Sequence, residues 1–169
     1  MFRQCTSLTT LILNNFATAN CVDMNNMFRQ TSLTTLDLTN FVTTNVKNMS
    51  SMFKLMTNLT SVNLSNFNTS NVVEIGGLFY SCTSLQEVDL SSFDTSNVRM
   101  FNDTFSGCSN LERIFVSDLW STESCTISSN MFYNCSKLHS DTSNVSYDGT
   151  KIDITMANYE TGYLTLKTA

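Results

Sequence analysis

The chain is 169 residues long, carries a formal net charge of −5, and contains no proline, five glycines and an excess of Ser, Thr and Asn. With its nine basic residues scattered, it offers no clustered Lys and Arg, which excludes nucleic acid and anionic membrane surfaces as partners. No apolar run approaches the roughly 20 residues that span a bilayer, and one histidine without a CxxC pair leaves zinc no ligand set, so neither membrane insertion nor a metal or other cofactor is expected.

Read from the N-terminus, one phrase recurs. An anchor phenylalanine stands at Phe2, Phe28, Phe53, Phe79, Phe105 and Phe132, at steps of 26, 25, 26, 26 and 27 residues. A fixed step of this size marks copies that bury their apolar faces only against one another. The predicted architecture is a leucine-rich-repeat-like solenoid over residues 1–139 and a C-terminal cap over 146–169. Repeats fall near 1–26, 27–51, 52–77, 78–103 and 104–130, with a partial one at 131–145.

Each copy carries two apolar phrases. The first, L-x-x-L-x-L-x-x-F, reads Leu8, Leu11, Leu13 and Phe16 in copy one, and Leu33, Leu36, Leu38 and Phe41 in copy two. In copy five it reads Leu111, Ile114, Val116 and Leu119. Its inner alternation predicts a short strand with one buried face, and the strands of successive copies should form one parallel sheet. The second phrase, N-V-x-x-M-x-x-M-F, is seen at Asn45, Val46, Met49, Met52 and Phe53. Its spacing fits a tight 3₁₀ or helical turn. It equally fits a second short strand from Val to the first Met, followed by a helical MF-x-x-C. With so little Pro and Gly, segments such as Asp94–Asn97 must build the turns from side chains bonding to nearby backbone.

Departures from the pattern are informative. Copy two lacks a residue beside Thr31, and copy five has one extra between Leu119 and Cys125. Copy six breaks after Leu138, where Asp141-Thr142-Ser143-Asn144-Val145 arrives six residues early, so a strand has been dropped. In the tail, Tyr147-Asp148-Gly149 reads as a turn, and the alternating runs Lys151–Thr155 and Tyr163–Lys167 predict a small β cap. Met1 to Leu13 has no such cap. It should present uncovered core, as a chain whose upstream repeats are missing would.

Cys5, Cys82, Cys108 and Cys135 share one repeat position, and Cys21 and Cys125 share another. In an extracellular protein six cysteines fit three disulfides. Copies about 4.8 Å apart, with parallel side chains, suit a column of small buried thiols better. Met56 at that position in copy three agrees with packing.

The phrase C-T-S-L-Q-E-V-D-L-S-S-F-D-T-S-N-V resembles the 26-residue repeat of bacterial surface proteins in the BspA-like leucine-rich-repeat family. The resemblance covers about residues 1 to 138, and Ala157-Asn158-Tyr159 with Gly162-Tyr163-Leu164 is similar to segments that close such arrays. It implies a secreted or cell-surface protein of a host-associated microbe, engaged in adhesion or protein recognition and without catalytic residues.

Of the twelve phenylalanines, eleven fall at inward positions and only Phe115 points outward. The outward face of the sheet is free of core duty, which makes it the candidate contact surface. Its central column is Ile12, Asp37, Asn63, Asp89 and Phe115, and Glu87 and Arg113 stand beside its C-terminal end. A ring and a charge pair in an otherwise short, neutral sheet suit an anchor for a partner; Thr and Ser columns alone would only favour strands and solubility. Asp37 and Asp89 sit two copies apart, about 10 Å by strand spacing, with no clamp or cleft to tune them, so catalysis is not expected. The expected function is recognition of a host or matrix protein through this face. Alternatives are a structural spacer, or a glycan binder favoured by the hydroxyl and amide columns.

Overall fold

A computed structural model describes residues 1–167. The chain is mostly non-helical, with strands β1 (Thr35–Asp37), β2 (Ser61–Asn63), β3 (Glu87–Asp89), β4 (Arg113–Val116) and β5 (Thr165–Leu166). All paired strands are parallel, β1 with β2 and β3 with β4 and then β5. Register sets like on like, with Leu36 opposite Val62 and Val88 opposite Ile114. The single sheet expected from the sequence is instead two small ones, with a break between β2 and β3. Residues 10–14, the corresponding stretch of copy one, form no strand.

On the opposite side, single-residue parallel bridges join Asp23, Asn48, Glu74, Met100 and Ile127 in an unbroken series. The strand reading of the second phrase therefore holds in reduced form. The helical reading does not. Residues two before and two after each anchor ring take left-handed backbone conformations, among them Ser51 and Leu55 around Phe53, and Gly77 and Ser81 around Phe79. Alternate N–H groups then point to different partners. The N–H groups of Met49, Ser51, Phe53 and Leu55 donate to Glu74, Gly76, Leu78 and Tyr80 of the next copy at 2.7–3.0 Å. Those of Met52, Lys54 and Met56 donate back three residues within the turn at 3.2 Å. A helix would keep every such donor for itself; this backbone gives half of them to its neighbour.

The core follows the same rule. Anchor rings stack nearly face to face, with Phe28–Phe53, Phe79–Phe105 and Phe105–Phe132 centroids 5.8–6.0 Å apart. Phe53–Phe79 is tighter, at 5.0 Å. At the corners, buried threonines bond to the following copy, Thr43 Oγ1 donating to Asn68 O and Thr69 Oγ1 to Asp94 O, both at 2.9 Å. Asn71 and Asn97 reach back to Thr44 O and Ser70 O at 2.8 and 2.9 Å. Asp94 Oδ1 accepts from Ser96 N–H at 3.0 Å, as turns built without Pro or Gly require.

Phe2, Leu8, Leu11 and Phe16 are only half-buried, in line with the uncovered core expected of the first copy. Several other expectations need correction. In copy five Leu119 is 52% exposed, and Trp120 fills the strand-end slot against Phe101, donating from Nε1 to Ala157 O at 3.1 Å. The extra residue of that copy thus lies before Trp120, not after Leu119. Lys151–Thr155 is not a strand: Asp153 caps a 3₁₀ helix, Ile154–Met156. The other alternating run does pair. Thr165 lies opposite Phe115 and Leu166 opposite Val116, so the tail supplies the strand that copy six lacks.

Cys82, Cys108 and Cys135 are buried free thiols, and each donates to the carbonyl of an anchor phenylalanine, Phe53, Phe79 or Phe105, at 3.0–3.1 Å. Burial pushes the Cys108 thiol up to about 12 and the other two well above their ordinary value. Cys5, expected in the same column, is exposed because copy one is uncovered; Cys21 and Cys125 are half-buried.

Two outcomes follow from this packing. Phe79→Ala removes a fully buried ring from mid-stack and should lower unfolding free energy in urea by about 3–5 kcal/mol. Exposed Thr35→Ala should change it by no more than about 0.5 kcal/mol. With a colorimetric disulfide reagent at pH 8, Cys5, Cys21 and Cys125 should react in the native protein, whereas Cys82, Cys108 and Cys135 should stay silent until denaturant is added.

Candidate functional site

The strand face carries the site because its outward side chains are not needed for packing. Ile12 is 77% exposed on the unpaired first copy and lines only a shallow hollow with Asn14 and Phe16. Asp37 and Asn63 are exposed on β1 and β2, while Asp89 and Phe115 are half-buried on β3 and β4. Glu87, Asp89, Arg113 and Phe115 come together across the β3–β4 pair, since Glu87 lies opposite Arg113 and Asp89 opposite Phe115. Ile12 and Asp37 stay apart from them.

Charge pairing orders this cluster. Arg113 donates from Nη1 to Glu87 Oε1 at 2.9 Å and from Nε to Asp141 Oδ2 at 2.7 Å. These bonds, Asp141 first, hold the guanidinium above its usual value. The Lys167 ammonium, on the residue after β5, donates to Asp89 Oδ2. Burial pushes the Asp89 carboxyl up, but hydrogen bonds from Lys167 and Ser91 outweigh it and hold the group below 3.8. Asp37, Asn63 and Asp89 also shape the backbone locally, because their side chains accept from the N–H groups of Thr39, Ser65 and Ser91 at 3.0–3.2 Å. The central column is thus a turn-forming column before it is anything else. Among the described residues, no group of three His, Cys, Asp or Glu side chains stands close enough to hold a metal.

Beside the cluster the sheet is open. In the intact pairs Leu38 N–H donates to Asn63 O and Leu90 N–H to Phe115 O, and Glu112 N–H donates to Gln86 O. The equivalent bonds from Leu64 N–H to Asp89 O and from Gln86 N–H to Thr60 O are not made. A cavity of about 480 Å³ lies at the gap, lined by Thr60, Ser61, Val62 and Gln86 together with Glu87, Asp89, Phe115 and Lys167. A second, of about 280 Å³, continues along it past Asn63 to Ser65 and Ser92. Val62 is only half-buried, whereas its counterparts Leu36, Val88 and Ile114 are 5%, 2% and 0% exposed.

Sequence reasoning missed Lys167, Asp141 and the gap. Leu164-Thr165-Leu166 matches the inner apolar alternation of every copy, so it was a usable signal that the tail joins the sheet and carries Lys167 to Asp89. No such signal marked the gap, because Thr60 to Ser65 matches the repeat as well as its neighbours do.

The sequence pattern of one known family, described as Mycoplasma protein of unknown function, DUF285, matches residues 1–62 and 55–161. No curated protein and no solved structure matches the chain.

Because the folded-state carboxyl of Asp89 sits below its ordinary value, its pairing stabilises the fold above that value and is lost as pH falls through the lower, folded one. Titration by carbon NMR should therefore place the Asp89 midpoint below 3.8. In Lys167→Gln the midpoint should move up toward the ordinary carboxylate value; an unmoved midpoint would mean that the ion pair does not form in solution.

Proposed function

The chain belongs to that family, and for it we propose a leucine-rich-repeat-like solenoid, related to the BspA-like surface repeats, that serves as a non-enzymatic recognition module at the cell surface. Its partner is a protein, engaged through the strand face. The observation that carries this reading is the convergence of Glu87, Asp89, Arg113 and Phe115 on β3 and β4. Elsewhere the outward columns hold short hydroxyl and amide side chains, with Ile12 and Asp37 the exceptions. A half-buried ring framed by paired charges is the arrangement that anchors protein partners, the ring giving contact area and the charges fixing orientation. Asp37 and Asp89, the pair of carboxylates that a hydrolase of this shape would need, are both engaged in turns, and Asp89 is also tied to Lys167.

One observation favours a second reading. The turn-forming work of Asp37, Asn63 and Asp89 would serve a spacer as well as a binder, because it is needed whether or not anything docks.

A binding screen of the purified chain against host surface and extracellular-matrix proteins separates the two. A recognition module should bind at least one with a saturable isotherm, and Phe115→Ala and Asp89→Ala should each weaken it about tenfold or more, the size expected of an anchor. Absence of saturable binding to every protein tested would leave the spacer reading.

A further inference from the structure

We infer that the break between β2 and β3 is a subsite for a neutral saccharide. The inference rests on the strand face being the recognition face, but it concerns a different ligand from the protein partner. Its starting point is a pair of backbone donors: Gln86 N–H and Leu64 N–H, at the two ends of the gap, donate to no backbone carbonyl among the described residues, although their counterparts in the intact pairs do. Backbone groups withdrawn from a ladder take a partner wherever one is offered.

The width of the gap selects that partner. Cα atoms of β2 and β3 still approach within 8 Å, less than the roughly 9.6 Å that an inserted strand would need. A polypeptide is thus too thick to lie between them. A hydroxyl group is a smaller bridge, and side chains of this kind already join adjacent copies, at both ends of the gap as at other junctions. Ser84 Oγ donates across it to Thr57 O at 2.6 Å, and Ser92 Oγ to Leu64 O at 3.0 Å. A sugar brings several hydroxyls at once, each both donor and acceptor.

The walls agree with this chemistry. Half-buried Phe115 lines the cavity with a ring suited to the apolar face of a pyranose, and Gln86 and Ser61 line it with groups able to make polar contacts. A cavity of about 480 Å³ is within the range of small-ligand sites. Charge argues for a neutral sugar: Arg113 and Lys167 are already paired with Glu87, Asp141 and Asp89, and the chain is acidic overall. The opening is also part of the fold. The anchor rings on the far side are closest, at 5.0 Å, at this same junction, so the stack is pinched there and parted at the strands.

The test uses an array of neutral and acidic oligosaccharides, followed by titration of the best binder with amide NMR. At least one neutral oligosaccharide should bind saturably, shifting the Gln86 and Leu64 amide signals. Ser61→Trp, which fills the gap from an exposed position, and Gln86→Ala should each weaken it tenfold or more; Gln86→Ala also decides the matter if Ser61→Trp perturbs folding. Binding confined to acidic sugars or to peptides, no saturable binding at all, or binding unchanged in both variants would overturn the subsite. A protein partner retained by the wild type and by Gln86→Ala, with no saccharide bound, would overturn it while leaving the recognition reading intact.

Discussion

The structure depends on a single spacing. Once the backbone of each copy donates half of its turn-face N–H groups to the next, the copies are held about one strand separation apart, and every side chain must lie on its counterpart. Rings stack on rings, threonines bond from corner to corner, and buried thiols rise in a column. The period in the sequence is the trace of that constraint. Most buried polar groups at the corners, such as Thr43 and Thr69, find their partner in the adjacent copy.

Where the constraint lapses, the surface gains character. On the turn side the bridges run without interruption from Asp23 to Ile127, so the copies cannot slip. On the strand side the first junction and the one between β2 and β3 are unpaired, and immediately beyond the second the outward columns change from mostly short polar groups to Glu87, Asp89, Arg113 and Phe115. The tail then returns to this region, pairing β5 on β4 and setting Lys167 against Asp89. Charge, ring and cavity are thereby gathered at one end of an otherwise monotonous face.

Much of this was legible because it is periodic. The anchor rings, the inward leucines, the strand positions and the side-chain-built turns all follow from repetition alone, since one interpretation must fit every copy. What was not legible is local to one copy or one junction. Trp120 replaces Leu119 in the core because an inserted residue shifts the register, and either position would satisfy the pattern. Helical spacing on the turn side was a misleading cue: i, i+3 apolar residues also describe successive turns that contain left-handed residues, and Ser51 and Leu55 carry no mark of that conformation. Among the site residues, the Glu87–Arg113 and Asp89–Phe115 neighbours follow from the repeat step. The gap beside them depends on small differences in packing between two copies of nearly the same phrase.

The scarcity of special turn residues bears on how the chain reaches this state. Without proline no slow peptide-bond isomerisation delays refolding, and joining any two adjacent copies closes a loop of nearly constant length, with a nearly constant entropic cost. Assembly should then proceed by equal increments from wherever it nucleates. The Lys167–Asp89 contact is different, since its partners are 78 residues apart and meet only when the intervening copies are in place. That ion pair is a built-in marker of completion.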